Sequence, residues 1–389
     1  MIKLLYNFLG LHSILIGLFT FFLPVLLYKA GFSLFEMSMF ISVTGGSFFL
    51  FLWGLDRIRF RYGMYPLIYL AYILEIFLIV GLFFLKTYEW LFFIIALIYG
   101  AYNCFFWVTQ RILFVLSTQS DNVGDKFGNI QILAFGLGKV GIFIGSFLLE
   151  KEMFFILLMF AIFLSLYGIY HFRKYSLEHK DMDLFVSAPI LTVKDVVNFK
   201  DALHSKLIFF IDGAFLFFEG FFWVLTLFFI MDENYSHLGL LIIALAIIFS
   251  SIFVLIKKYV DKMDAKKLLY IATFLYAGSW GLREIIEWDM SEKMVYIYAL
   301  IIAFSVSFFR LVFNKQFFHT AKQTDAHTYM LYKSYYSQFG ICCIFFLLAG
   351  YLFFYQVVGF TWNYFFLIPF SLLFLLYKPV EKNLKVISR

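Results

Sequence analysis

The feature that most limits what this chain can become is a run of about 20 apolar residues, repeated along its whole length. Such runs lie at 5–28, 34–56, 64–86, 89–113, 127–149, 152–172, 207–231, 235–257, 266–285, 294–315, 329–354 and 357–377. At a rise of about 1.5 Å per residue, a helix of that length crosses the roughly 30 Å hydrocarbon core of a bilayer. In lipid, every backbone N–H and C=O must find its partner inside the protein, so unbroken apolar runs of this length are helices. The chain is 63% hydrophobic and 14% charged, against about 25% charged in soluble domains. The expected fold class is an all-α membrane protein of about twelve transmembrane helices in two six-helix, pseudo-repeated halves. The first run is too long and too apolar for a signal peptide and precedes no small-residue cleavage site, so it reads as the first span.

The loops are short except for 173–206. The chain therefore divides into an N-terminal six-helix half at 1–172, a linker at 173–206 and a C-terminal six-helix half at 207–389. Lys and Arg are concentrated in one set of loops, among them Arg57, Arg59, Arg61, the linker lysines, Lys257 to Lys267, Lys315, Lys322 and Lys333. The opposite set carries Lys29, Lys86, Lys151 and Lys293. Cytoplasmic loops carry the basic excess, so both termini and the linker are expected in the cytoplasm, with the plasma membrane (a bacterial inner membrane) as the location. Trp90, Trp288 and Trp362 fall near the expected outer ends, where an aromatic belt belongs. Within the linker, Val193 to Leu203 reads as a short amphipathic run lying on the inner membrane surface.

The chain also repeats itself. Ala101 to Asp121 carries Asn103, Gln110 and Arg111 into an apolar helix and ends on Gln119-Ser120-Asp121. At an offset of 204 residues, Asn314-Lys315 stands in place of Gln110-Arg111, Gln323-Thr324-Asp325 in place of the polar turn, and Phe339-Gly340 in place of Phe135-Gly136. Self-similarity at a fixed spacing is the mark of a duplicated architecture. Duplicated transporters place their substrate site near the bilayer midplane, between the repeats.

Other classes lose support from the same residues. Cys104, Cys342 and Cys343 lie in apolar stretches and form neither a disulfide framework nor a zinc pattern. No Walker loop is present, and Gly136-Leu137-Gly138 lies inside a membrane run, where it packs instead of holding a nucleotide. No enzyme signature, cofactor or metal is expected. The net charge of +6 sits in membrane-flanking loops, so nucleic acid is not expected as a partner. The 58 phenylalanines suit lipid contact.

Two loops carry a family likeness. Gly54-Leu55-Asp56-Arg57-Ile58-Arg59-Phe60-Arg61-Tyr62-Gly63 follows the second run, and Lys257-Lys258-Tyr259-Val260-Asp261-Lys262-Met263-Asp264-Ala265-Lys266-Lys267 follows the eighth. With the six–linker–six layout, the whole chain resembles the major facilitator superfamily. The spacing around Asp56 departs from the family pattern, and the second loop lacks its glycine. The resemblance implies cavity-lining roles for spans one, four, seven and ten. It also implies a cytoplasmic gate built from Asp56, Arg57, Arg61, Asp261, Lys262 and Lys266. Gly141-x-x-x-Gly145 in the fifth run allows close helix approach, but no proline follows it, so the family's antiporter signature is missing.

Charges deep in membrane helices are functional hypotheses by default. Glu219 lies near the middle of the seventh run, with Asp212 two helical turns earlier on the same face; these two are the expected coupling or proton-carrying acids. Asn103, Gln110, Arg111, Lys139, Arg310, Asn314 and His12 are the expected substrate-cavity residues. Glu75 and Lys139 are a possible structural pair within the first half, and Arg283 and Glu287 a surface pair at the outer end of the ninth run. The reading is a secondary active transporter of a small organic solute, proton-coupled, working by alternating access as a monomer among membrane lipids. The scarcity of hydrogen-bonding side chains favours an amphiphilic cargo over a free sugar. The alternatives are a lipid flippase of the same fold and a non-transporting receptor or assembly partner.

Overall fold

The computed structural model describes residues 2–117, 123–178, 188–201, 203–260, 263–286, 290–355 and 364–378. Helix follows helix: α1 Ile2–Lys29, α2 Leu34–Tyr62, α3 Tyr65–Phe84, α4 Leu91–Ser117, α5 Val123–Glu150 and α6 Phe154–Glu178 form the first half. The second half comprises α7 Ser205–Ile230, α8 Tyr235–Val260, α9 Ala265–Ile285, α10 Glu292–Gln323, α11 Ala326–Phe354 and the short α12 Tyr364–Leu376. Among the described residues, nine helices are long and apolar enough to cross a membrane, and Tyr235–Ile248 and Tyr364–Leu376 are shorter apolar helices. The chain is a multi-pass membrane protein.

Several helices run past the apolar window. The second continues to Tyr62 and the eleventh begins at Ala326, so the buried polar residues Arg59 and His327 lie within regular helix. Local signals set some ends. Ser33 and Glu36 form a reciprocal capping box that starts α2, satisfying backbone donors that a helix start leaves free. Two helices contain a π-helical turn, Cys104–Val108 in α4 and Phe218–Phe222 in α7. Such turns insert an extra residue and re-aim the side chains around them.

Within the first half α1 packs on α5, and within the second α7 packs on α11; the halves meet along α2–α11 and α5–α8. Glycine makes both kinds of seam possible. A Cβ on Gly141 would lie 2.2 Å from the Ile14 carbonyl oxygen, and one on Gly213 2.3 Å from that of Ser337. Across the halves, a Cβ on Gly45 would meet the Cys342 backbone nitrogen at 2.9 Å, and Ser42 Oγ donates to the Cys342 carbonyl at 2.9 Å. Without a hydrophobic force between helices in lipid, such close backbone contact supplies the attraction. The aligned pair Gly136 and Gly340 does not share a packing role. Gly340 sits against the Phe210 carbonyl, whereas Gly136 faces open space.

The linker is docked into the bundle, where the sequence suggested a surface segment. Its helix, Val193–Asn198, starts with a Thr192–Asp195 capping box. Phe199 stacks on Tyr332 at 4.1 Å, Tyr336 Oη donates to the Val196 carbonyl at 2.6 Å, and Leu191, Phe199 and Leu203 are buried.

Candidate functional site

The charges that sequence depth singled out on α7 converge with α10. Arg310 donates from Nη2 to Glu219 Oε1 at 2.8 Å and from Nε to Glu219 Oε2 at 3.1 Å, a bidentate fork. The remaining terminal nitrogen of Arg310, Nη1, donates to Asp212 Oδ1. Two carboxylates from one helix thus share one guanidinium from another. The planar five-donor head of Arg suits this task, which a Lys ammonium could not perform.

Two further residues complete the cluster, and the sequence reading placed neither in it. Lys333 Nζ lies 3.2 Å from Asp212 Oδ2. Its side chain is buried on α11 over the rings of Phe317 and Phe313, at 4.4 and 4.8 Å. This corrects its assignment to the loop cations. The apolar window starts at Tyr329, but the helix starts at Ala326 and carries Lys333 two turns inside. Tyr276 of α9 donates its hydroxyl to Glu219 Oε1 and stacks on Phe309 at 4.2 Å. Asp212, Glu219, Arg310 and Lys333 balance as two negative and two positive charges, and four helices of the second half contribute to the cluster.

The first half reaches toward this cluster through Arg111, whose Nη1 donates to Ser334 Oγ at 3.2 Å, next to Lys333. Lys139 and Glu219 line one cavity of about 350 Å³ between α1, α5, α7, α8, α9 and α10. Gln110 is buried and Asn314 half-buried. Asn103 is occupied within its own helix, donating to the Tyr99 carbonyl at 2.9 Å and accepting from Trp107 Nε1 at 3.1 Å.

Several placements differ from expectation. His12 is fully buried inside the first half, between the rings of Tyr72 at 4.1 Å and Phe106 at 4.3 Å. Its Nδ1 donates to the Phe8 carbonyl, and its Nε2 faces Glu75 Oε2 at 3.6 Å. It belongs to an aromatic core and does not line the cavity. Glu75 also accepts from Tyr102 Oη at 3.2 Å, so its neighbours are His12 and Tyr102, not Lys139. Arg283 is 2% exposed and lines the cavity, which overturns its placement on the surface. Glu287, its expected partner, lies outside the described residues, as do Trp288 and Trp362.

Of the described residues expected to form a gate, only Asp56 is buried in a cluster of contacts. Asp56 is buried and accepts from Arg59 Nε at 2.8 Å, from the Leu191 backbone N–H at 3.0 Å and from His327 Nε2 at 3.2 Å. Arg59 Nη2 pairs with the same carboxylate at 2.7 Å and reaches the Ala188 carbonyl at 2.9 Å. A single acid therefore joins α2, the linker and α11. Arg57, Arg61 and Lys266 are exposed: Arg57 lies 3.3 Å over the Trp53 ring and Lys266 5.9 Å from the Tyr270 ring centroid. The buried arginine is Arg59, three residues from Asp56 and hence on the same helical face. Asp261 and Lys262, like Gln119 to Asp121, lie outside the described residues.

On the opposite face, Lys29 at the end of α1 pairs with Glu233 after α7 at 2.5 Å, and Tyr28 Oη donates to the same carboxylate at 3.0 Å. Lys29 and Glu233 stand 204 residues apart, the offset at which the sequence repeats. The two halves thus touch at both faces, with the charge cluster and the cavity between them.

Among the described residues, the twelve helices α1 to α12 fall in two sets of six, joined by a docked linker and meeting along α2–α11 and α5–α8. Among solved structures the chain is similar to the crystal structure of the nucleoside transporter NupG. The TM-score is 0.69 at 15% identity, covering 96% of each chain. It is similar also to a mutant of that transporter, with a TM-score of 0.66 at 15% identity, covering 96% of this chain and 97% of the other. No protein-family model matches the sequence, and no curated protein is similar to it. At this identity the likeness establishes the fold.

Proposed function

We propose that the protein is a proton-coupled secondary transporter of a small organic solute, working by alternating access between the two halves. The observation that carries this reading is the sharing of Arg310 by Asp212 and Glu219, between faces that each carry a cross-half contact. With both acids ionised, Arg310 ties α7 to α10 and the cluster is neutral. A proton on Glu219 removes one charge, leaves Arg310 to Asp212, and loosens the fork that joins the helices. Burying an uncompensated charge in a membrane interior costs at least about 2.5–3.5 kcal/mol, so a change of protonation and a change of helix position favour one another. That reciprocity is what coupling requires. Arg111 bonds beside Lys333, so the first half feels the cluster's charge.

The Asp56–Arg59–His327 contact serves as the gate on the linker face and Lys29–Glu233 as the gate on the other. The basic loops support a cytoplasmic linker face. The test is accumulation of pooled metabolites in proteoliposomes under an inward proton gradient, with and without a protonophore. Nucleosides belong in the pool, because the similar solved structure is a nucleoside transporter. Accumulation abolished by the protonophore supports the reading. Accumulation indifferent to it rejects proton coupling, and flux of no pooled solute rejects transport.

A further inference from the structure

The cavity beside the charge cluster holds more positive charge than the cluster can neutralise. Arg283, on α9, is 2% exposed. Its Nη1 donates to the Ser279 carbonyl and Oγ, both at 3.0 Å, and its guanidinium lies 4.0 Å from the Trp280 ring centroid and 5.0 Å from that of Trp223. Its Nε is buried with no hydrogen-bond acceptor, and Glu219 on the same wall acts on it only at a distance, without a hydrogen bond or close ion pair among the described residues. Lys139, half-buried on α5 of the other half, lines the same cavity and likewise has no ion pair among the described residues. The acid on the wall, Glu219, already has both oxygens engaged by Arg310 and Tyr276.

Two cations from opposite halves therefore face one space whose one acid among the described residues, Glu219, is already held by Arg310 and Tyr276. A charge taken out of water must be paired, hydrated or neutralised, and here the missing partner has room to enter. The cavity is about 350 Å³, within the roughly 300–1,000 Å³ of small-molecule sites. Apart from Ser307 the rest of its wall is apolar, with Trp223, Val224, Leu227, Ile242 and Ile302 among its residues. Such a wall offers few hydrogen bonds to the hydroxyls of a sugar or the ring nitrogens of a base, but it matches a hydrocarbon or aromatic body.

We propose that this cavity binds a small amphiphilic organic anion, its carboxylate or phosphate held by Arg283 and Lys139 and its apolar body laid against Trp223 and the aliphatic wall. Because the two cations belong to different halves, the anion bridges them, and its arrival draws α5 and α9 toward a common charge. The proposal rests on the transporter reading for the anion's being a cargo. Binding is measured at equilibrium, so a cavity that takes no anion and a chain that moves no solute fail separately.

The test is isothermal titration of the purified full chain in detergent with 1-naphthoate, 1-naphthyl phosphate, the neutral 1-naphthamide and uridine. The expected result is saturable binding of the anions, with 1-naphthamide weaker by at least about tenfold, as loss of a desolvated charge contact implies. The order of carboxylate and phosphate identifies the charged group. Arg283→Gln and Lys139→Gln should each weaken anion binding by at least about tenfold, with Arg283→Lys retaining more than Arg283→Gln. The carboxylate–amide comparison uses unaltered protein, so it decides the matter even if a variant fails to fold. Equal affinity for 1-naphthoate and 1-naphthamide, binding of uridine without binding of either anion, no saturable binding of either anion, or folded Gln variants that keep wild-type affinity overturns the proposal.

Discussion

Replacing Asp56 by Asn should open the linker face. Asp56 takes four contacts from three segments: Arg59 through two nitrogens, the Leu191 N–H and His327 Nε2. The amide would keep the shape of the carboxylate and lose its charge. Arg59, fully buried beside it, would lose the anion that it grips through Nε and Nη2. Removing one member of a buried ion pair costs about 3–5 kcal/mol. That cost falls on the closed arrangement, because opening lets water reach Arg59. At about 1.4 kcal/mol per tenfold, the closed population should fall by roughly a hundredfold or more. The assay is electron–electron distance measurement between spin labels on Arg61→Cys and Gln323→Cys, both exposed positions on this face, in a background without the native cysteines. Wild-type protein should show a short distance, and Asp56→Asn a longer and broader one. An unchanged distribution would show that the Asp56 contact does not hold this face shut.

Other outcomes follow from the same contacts. Arg310→Gln leaves Asp212 and Glu219 short of a cation and should destabilise the folded protein by about 3–5 kcal/mol; Glu219→Gln in the same chain should recover part of that loss, a coupling that a double-mutant thermal-unfolding cycle reads directly. Gly213→Ala places a Cβ 2.3 Å from the Ser337 carbonyl oxygen, where backbone must yield, so α7 and α11 should separate at a cost of about 1–3 kcal/mol, measured as a lower unfolding temperature. At the opposite face, the hydrogen bond and charge of Lys29 hold the Glu233 carboxyl below its ordinary value of 4.5. Because the bound value is depressed, the contact is fully present above that ordinary value and is lost as the pH falls through the depressed one. Both groups are about two-fifths exposed, so the effect is about 0.2–1 kcal/mol. Spin labels across that face should report modest opening in acid, and Glu233→Gln should remove the acid response.

The architecture was legible because lipid permits so few backbone solutions. Runs of helix length, a basic bias in alternate loops and a repeat at a fixed offset follow from hydropathy and charge alone. The acids of α7 and Arg310 were legible too, since a charge at that depth needs a reason. What escaped the sequence were partners supplied by geometry. Lys333 lies among the loop cations by charge count, although α11 begins two turns before it. Arg59 and Arg57 are equivalent as loop cations, and only the three-residue step back to Asp56 places Arg59 inside. His12 looked like a titratable group in a cavity helix, yet α1 turns it into the aromatic core of its own half. Arg283 sits near a helix end, where snorkelling to water is the ordinary outcome; Trp280 is its neighbour one turn back, but nothing local reveals that Trp223 of another helix also covers it.

The central claim is that a proton on the Asp212–Arg310–Glu219 cluster drives movement of the cargo. It is tested most directly by comparing wild type with Glu219→Gln in proteoliposomes, measuring solute accumulation under an imposed proton gradient beside solute exchange without one. Gln keeps the shape of the side chain and cannot release a proton. The account predicts that gradient-driven accumulation is lost while exchange persists. Accumulation by Glu219→Gln at the wild-type level would contradict it.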